Sequence, residues 1–251
     1  MPGVVHRAGE GESLFGGRIV LKATFEELCI TESDFRTARP GAEPHYHEHH
    51  ADAFYVLEGE MAILVHDEEV VVGAGGCVCA PPGVVHGFRT TTPARFLNFH
   101  TPDGGFADNL RARDRGEGGG FDSIDAEPGS GLPPDEAVAL QPGEGEALPG
   151  ATLFPTIKVG RDELSIVEFR LEPEFTGPEP HVHEDHVDSF YVIEGETEFV
   201  SGDEVLVLGA GSFIAAPPRV RHTFRSLGRR SRVLNVHAPS RGFHDWLRSR
   251  N

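Results

Sequence analysis

Residues 45–60 read HYHEHHADAFYVLEGE. Four histidines fall within six positions, Asp52 follows, and the stretch then turns apolar and aromatic as far as Gly59. Taken alone it is either a metal site opening a β-strand or a polar loop rich in imidazole. The chain carries the stretch again, without a gap, as HVHEDHVDSFYVIEGE at residues 181–196. The two versions differ only at the positions of Tyr46, His49, Ala51, Ala53 and Leu57. The paired histidines, the aspartate and the strand-like FYVLEG are one unit that occurs twice.

The repeat extends outward in both directions. Lys22–Phe35 aligns with Lys158–Leu171, and His86 with His222. After one inserted residue, RFLNFHTP (95–102) meets RVLNVHAP (232–239), and upstream GEGESL (9–14) echoes GEGEAL (143–148). Each half spans roughly 105 residues, far too long for a solenoid unit, so the chain is a duplicated domain. The expected division is an N-terminal domain over 1–115, a linker over 116–142 and a C-terminal domain over 143–251. The linker is rich in Gly, Pro and acid and has little periodicity. Phe121 and Ile124 offer it anchors on the first domain.

Each half reads as strand after short strand. FYVLEG and MAILVH are followed by a DEE turn, VVVGAGG, CVCAPPGVVHGF and ARFLNFH. Turn residues recur every few positions, the pattern of an all-β barrel or sandwich. The last strand of each half leads into a candidate short helix, at 104–115 and 241–250.

Composition narrows the function. The 251 residues carry a formal net charge of −18, which repels phosphate backbones and argues against nucleic acid as a partner. The three cysteines have no framework spacing; Cys77 and Cys79 read as small buried residues on a strand, since Phe213 and Ala215 replace them in the second copy. The N-terminus has no basic start followed by an apolar run, and no stretch is apolar enough to span a membrane. A cytoplasmic protein is expected.

His45 and His47 are two apart, so on a strand both imidazoles share a face. With Asp52 and the distant His86 they make three imidazoles and a carboxylate, and His181, His183, Asp188 and His222 repeat the set. Such donors suit a divalent transition metal (Fe, Mn, Ni, Cu or Zn), up to two per chain, with positions left for a substrate. A solvated histidine loop is the plainer reading of one H-x-H. A third histidine at matched spacing, found twice, favours metal. His50 and His186 recur in the loop before the aromatic strand, as solvated residues or as neighbours of the ligands. Asn98 with His100, and Asn235 with His237, share a face of the final strand, either inside the barrel against a ligand or at its rim. Phe54, Phe88, Phe190 and Phe224 lie two positions from candidate ligands, as pocket walls or as core. Tyr55 and Tyr191 fall on the opposite face, as exterior or interface. Arg221, where the first copy has Val85, reads as an exposed turn charge.

The spacing resembles the two cupin motifs. The first runs Gly41, His45, His47, Asp52, Gly59, and again Gly177, His181, His183, Asp188, Gly195. The second runs Gly75, Pro81, Gly83, His86, with Gly211, Pro217 and His222 as its counterpart. The chain is identified by this resemblance as a bicupin, two tandem double-stranded β-barrels of jelly-roll type, each with a short C-terminal helix. The motif departs from the family pattern in its acid, which is usually Glu and here is Asp; direct ligation and an outer position both remain open. Arg219 also replaces the turn glycine of the second copy.

The DAFYVLEGE and APPGVVHGF stretches are most similar to quercetin-dioxygenase-like cupins. That resemblance implies an oxidoreductase, a metal-dependent dioxygenase acting on an aromatic or enolic, flavonol-like small molecule, with Asp52 and Asp188 as ligand and base. A non-catalytic ligand-binding or structural bicupin is the second reading. A metal-dependent isomerase is the third, weakened because Lys22 and Lys158 are the only lysines. Two barrels in one chain imply a monomer with an intramolecular barrel pair, or a homodimer.

Overall fold

The computed structural model describes residues 3–250, so Met1, Pro2 and Asn251, at the outer limits of the two expected domains, lie outside the described residues. The chain is almost entirely antiparallel β-structure, with two short helices at Phe106–Asp114 and Phe243–Ser249. It divides into two compact units. One is Glu12–Glu144; the other joins the residues up to Gly11 to those from Gly145 onward.

Each unit is a β-barrel of two sheets. In the first, a seven-stranded sheet has Ala51–Glu58 between Cys77–Ala80 and Ala94–Thr101, and a five-stranded sheet has His86–Thr90 between Arg39–Tyr46 and Glu60–Val65. The second unit repeats the seven-stranded sheet around Val187–Glu194. Its smaller sheet has only three strands, because the counterpart of Arg39–Tyr46 is reduced to an isolated bridge between His181 and His222.

Two segments lie away from where the repeat suggests. Val4–His6 precedes the first copy yet pairs antiparallel with Phe213–Ala216 of the second. Val138–Leu140 stands in the corresponding place before the second copy and pairs with Cys77–Ala80 of the first. The segment 116–142 therefore holds ordered structure, including Ile124–Asp125 paired with Tyr46 and His45.

Glycine is demanded where strands pass closest. A Cβ on Gly41 would run into the carbonyl oxygen of Phe88, and one on Gly177 into that of Phe224. The two strands that carry His45 and His86 can meet only because that side chain is missing. The cores follow from the inward faces: Phe54, Met61, Ile63, Val78 and Phe96 in the first unit, and Phe169, Phe190, Phe199, Phe224 and Val233 in the second. Each such aromatic side chain contributes about 1.5–3 kcal/mol by leaving water. Tyr55 and Tyr191, expected on the exterior, are both buried. The cause is that Ala51–Glu58 and Val187–Glu194 are buried on both faces along most of their length, as their near-continuous apolar sequences allow. Cys77 and Cys79 are buried, and Arg221 is exposed.

Candidate metal centres

Strand pairing brings the scattered donors together. His86 stands opposite His45 across the small sheet, and Asp52 stands opposite His100 across the large one. The result is a cluster of His45, His47, Asp52 and His86 whose donor atoms lie within 4.8 Å of one another. The imidazole rings are 4.5–4.9 Å apart, centre to centre. His86 Nε2 lies 3.2 Å from Asp52 Oδ2, and His47 Nε2 lies 3.8 Å from the same oxygen. His181, His183, Asp188 and His222 repeat the arrangement, with 3.0 Å from His222 Nε2 and 3.5 Å from His183 Nε2 to Asp188 Oδ2.

The hydrogen bonds behind the rings decide what the cluster wants. His45 Nδ1 donates to Glu43 O at 2.7 Å and His86 Nδ1 to Val84 O at 2.9 Å. His181 and His222 do the same to Glu179 O and Val220 O, at 2.9 and 2.8 Å. His47 Nδ1 donates to Asp122 O. A neutral imidazole that donates from Nδ1 has only a lone pair at Nε2. Three lone pairs and a carboxylate oxygen thus converge on one point, with no donor hydrogen among them. His47 Nε2 and His183 Nε2 are buried without a hydrogen-bond partner. A divalent transition metal satisfies this donor set; solvation does not, because the groups are buried.

Most of the resolved protonation states agree; His222 is the exception, where burial works to lower the imidazole but the Asp188 carboxylate outweighs it and raises it. Burial, with the neighbouring His86, pushes His45 down to about 4, so it stays a neutral donor at ordinary pH. Burial likewise lowers His181. For Asp52 burial works to raise the carboxyl, but His100, His47 and His86 outweigh it and hold it well below the usual range. Asp188 is held down in the same way by His237, His183 and His222.

The remaining candidates surround this centre. Asn98 Nδ2 donates to Asp52 Oδ1, and His100 reaches Asn98 Oδ1 at 3.1 Å and His50 Nε2 at 3.0 Å. Asn235, His237 and His186 repeat most of this around Asp188. These residues hold the carboxylate in orientation, and His50 and His186 are buried members of the network, not solvated loop residues. Burial keeps His237 down at about 3 and His50 at about 4. Each helix contributes one ring to the same place: Phe106 stacks on His100 at 3.6 Å and Phe243 on His237 at 3.7 Å.

Two features escaped the sequence. The first is Asp122, which with the expected anchor Phe121 sits directly on the first cluster. Besides the bond from His47, the Asp122 carboxylate accepts from Glu48 N, His49 N and His50 Nδ1 at 2.7–3.0 Å. The second is a cavity of about 680 Å³ that opens on the second cluster, walled by Phe169, Phe175, Phe190, Phe224, Phe243 and Trp246. Phe190 and Phe224 therefore face open space; Phe54 and Phe88 instead pack against each other and Phe96 as core.

A cupin-domain family model matches residues 35–100 and again 167–237, more than half of the chain. The chain belongs to the cupin family and has the bicupin form, two barrels in one polypeptide. Among curated proteins it is similar to quercetin 2,3-dioxygenase of Bacillus subtilis (strain 168), 32% identical over 91 residues. That match covers 34% of this chain and only 27% of the dioxygenase. Among solved structures it is similar to oxalate decarboxylase of Bacillus subtilis, with a TM-score of 0.59 at 17% identity, covering 85% of this chain and 69% of that one. A putative glyoxylate-induced protein from Pseudomonas aeruginosa gives 0.64 at 16% identity, covering 88% and 80%. At such identities these structures speak for the fold alone. Among the described residues no helix is long and apolar enough to cross a membrane.

Proposed function

We propose that the protein is a metal-dependent dioxygenase acting on a flat aromatic or enolic small molecule that binds through oxygen. The observation that carries this is the aromatic-walled cavity of about 680 Å³ ending at His181, His183, Asp188 and His222. Its size suits a small organic ligand. Its walls offer ring faces, and its polar groups are concentrated at the metal cluster, so a ligand would be oriented by its oxygen at that end. The partial similarity to quercetin 2,3-dioxygenase supports the same substrate class.

His181, His183 and His222 would hold the metal through Nε2, with Asp188 Oδ2 as the fourth donor or the group beside it. A bound divalent transition metal would supply Lewis acidity toward a substrate hydroxyl and a route for electrons toward dioxygen. Asp188, kept ionised, is placed to take the hydroxyl proton on Oδ2. Asn235 Nδ2 holds the other carboxylate oxygen, so the basic oxygen stays aimed at the centre. The phenylalanine walls exclude water from the ligand.

The test is oxygen consumption by the metal-loaded protein over a panel of enols and flavonols. Turnover with at least one, lost in His222→Ala, is expected. Binding of these ligands with no oxygen consumed for any of them would replace the dioxygenase by a ligand-binding bicupin.

A further inference from the structure

We infer that the two barrels divide their roles: the first holds its metal behind a strap, residues 121–125, and meets no substrate, while the second alone takes a ligand. The closure of the first centre stands on its own geometry. The assignment of the ligand to the second rests on the function proposed above.

The strap is built as a closure. It leaves the helix Phe106–Asp114 through Gly118, Gly119 and Gly120, and a Cβ on Gly119 would strike Asn109. The chain can lie this close to the helix because the strap residue is glycine and its helix neighbour is small. Phe121 then comes within 5.3–6.1 Å of His47, His50, His100 and Phe106, covering the open end of the cluster with a ring. The Asp122 carboxylate accepts three hydrogen bonds and its backbone carbonyl oxygen a fourth, which fixes that ring in place. Ile124–Asp125 finally joins the sheet beside His45. Asp122 is thus a positioning residue: its carbonyl sets the tautomer of His47, and its carboxylate sets that of His50.

The second barrel lacks each of these parts among the described residues. Trp246 stands where Asn109 stands in the first copy, stacks 5.9 Å from Phe243, and forms part of the cavity rim. His186 Nδ1 has no hydrogen-bond partner at normal distance; the Asp185 carboxylate stands 3.5 Å from it, against 3.0 Å between His50 Nδ1 and Asp122. The side chain of His183 is 21% exposed, against 1% for His47.

Two measurements on the full chain test this, and neither needs turnover. The first is release of Co(II) to excess chelator, followed by the cobalt absorbance. Two phases are expected. The slow one should vanish in His86→Ala and the fast one in His222→Ala. Phe121→Ala and Asp122→Ala should each speed the slow phase by about tenfold or more, the range seen when a residue supporting a ligand is lost, and leave the fast phase unchanged. Asp122→Asn, which keeps an acceptor oxygen, should restore part of the delay. A single phase, a slow phase belonging to the second site, or release indifferent to Phe121 would overturn the closure. The second measurement is ligand stoichiometry by quenching of Trp246, the only tryptophan in the chain. One flavonol per chain is expected, with quenching lost in His222→Ala. Two per chain, or binding that survives His222→Ala and fails in His86→Ala, would overturn the assignment. An absence of oxygen consumption would end the dioxygenase reading and leave the release kinetics standing.

Discussion

The two barrels carry the same four donors in the same register, yet His45, His47, Asp52 and His86 are sealed while His181 and His183 face an open cavity. The donors are therefore not what separates a buried metal site from a reachable one. The separation comes from what surrounds them: a ring laid over the first cluster, and an open cavity against the second. Phe35, Phe54, Phe88 and Phe96 pack ring against ring at 5.3–6.5 Å in the first barrel. The second barrel's rings pack at 4.8–6.2 Å, yet Phe169, Phe175, Phe190 and Phe224 among them also wall the cavity.

Acid should give the largest effect and should strike through the sealed site. His45 and His50 are each held down to about 4 by burial, while the unfolded chain keeps them near 6.5. Between those values the unfolded state binds more protons, so stability rises with pH there. The contribution is complete above about pH 6.5 and is lost as pH falls through 4. For His45 alone the difference is on the order of 3 kcal/mol. Denaturant unfolding of metal-free protein from pH 7 to pH 4 measures it. Replacing His45 by Gln should flatten the slope in that window. A slope unchanged by the substitution would mean that the buried imidazole is not what acid attacks.

The fold was legible because it was written twice. His45 and His181, Asp52 and Asp188, His86 and His222 identify one another, and the glycines between them mark where strands pass closely. What lay outside the repeat could not be read that way. Phe121 was visible as an anchor in the linker, but Asp122 has no counterpart, so self-comparison gave it no weight. The cavity was hidden for the opposite reason: several of its walls stand where the copies differ, Phe169 for Ser33, Phe175 for Arg39 and Trp246 for Asn109. Tyr55 and Tyr191 were assigned to the exterior by strand alternation, which presumes one wet face; their sheets are buried on both.

Trp246 offers the smallest effect and the finest test of the comparison. It is 50% exposed, rests on Phe243 and has the Arg250 guanidinium 5.1 Å from its ring centre. A residue so placed contributes little to folding, and Trp246→Asn, which copies the first barrel, should shift stability by less than about 1 kcal/mol. Its consequence should appear in ligand binding, because the ring forms part of the cavity rim and its loss removes apolar surface from the entrance. A several-fold rise in the ligand dissociation constant is expected, with the rate of Co(II) release at the second site unchanged. Calorimetric titration is the suitable readout, since the substitution removes the fluorophore. If affinity holds while cobalt leaves faster, the indole shields the metal rather than the ligand, and the two barrels are closed by different devices instead of one closed and one open.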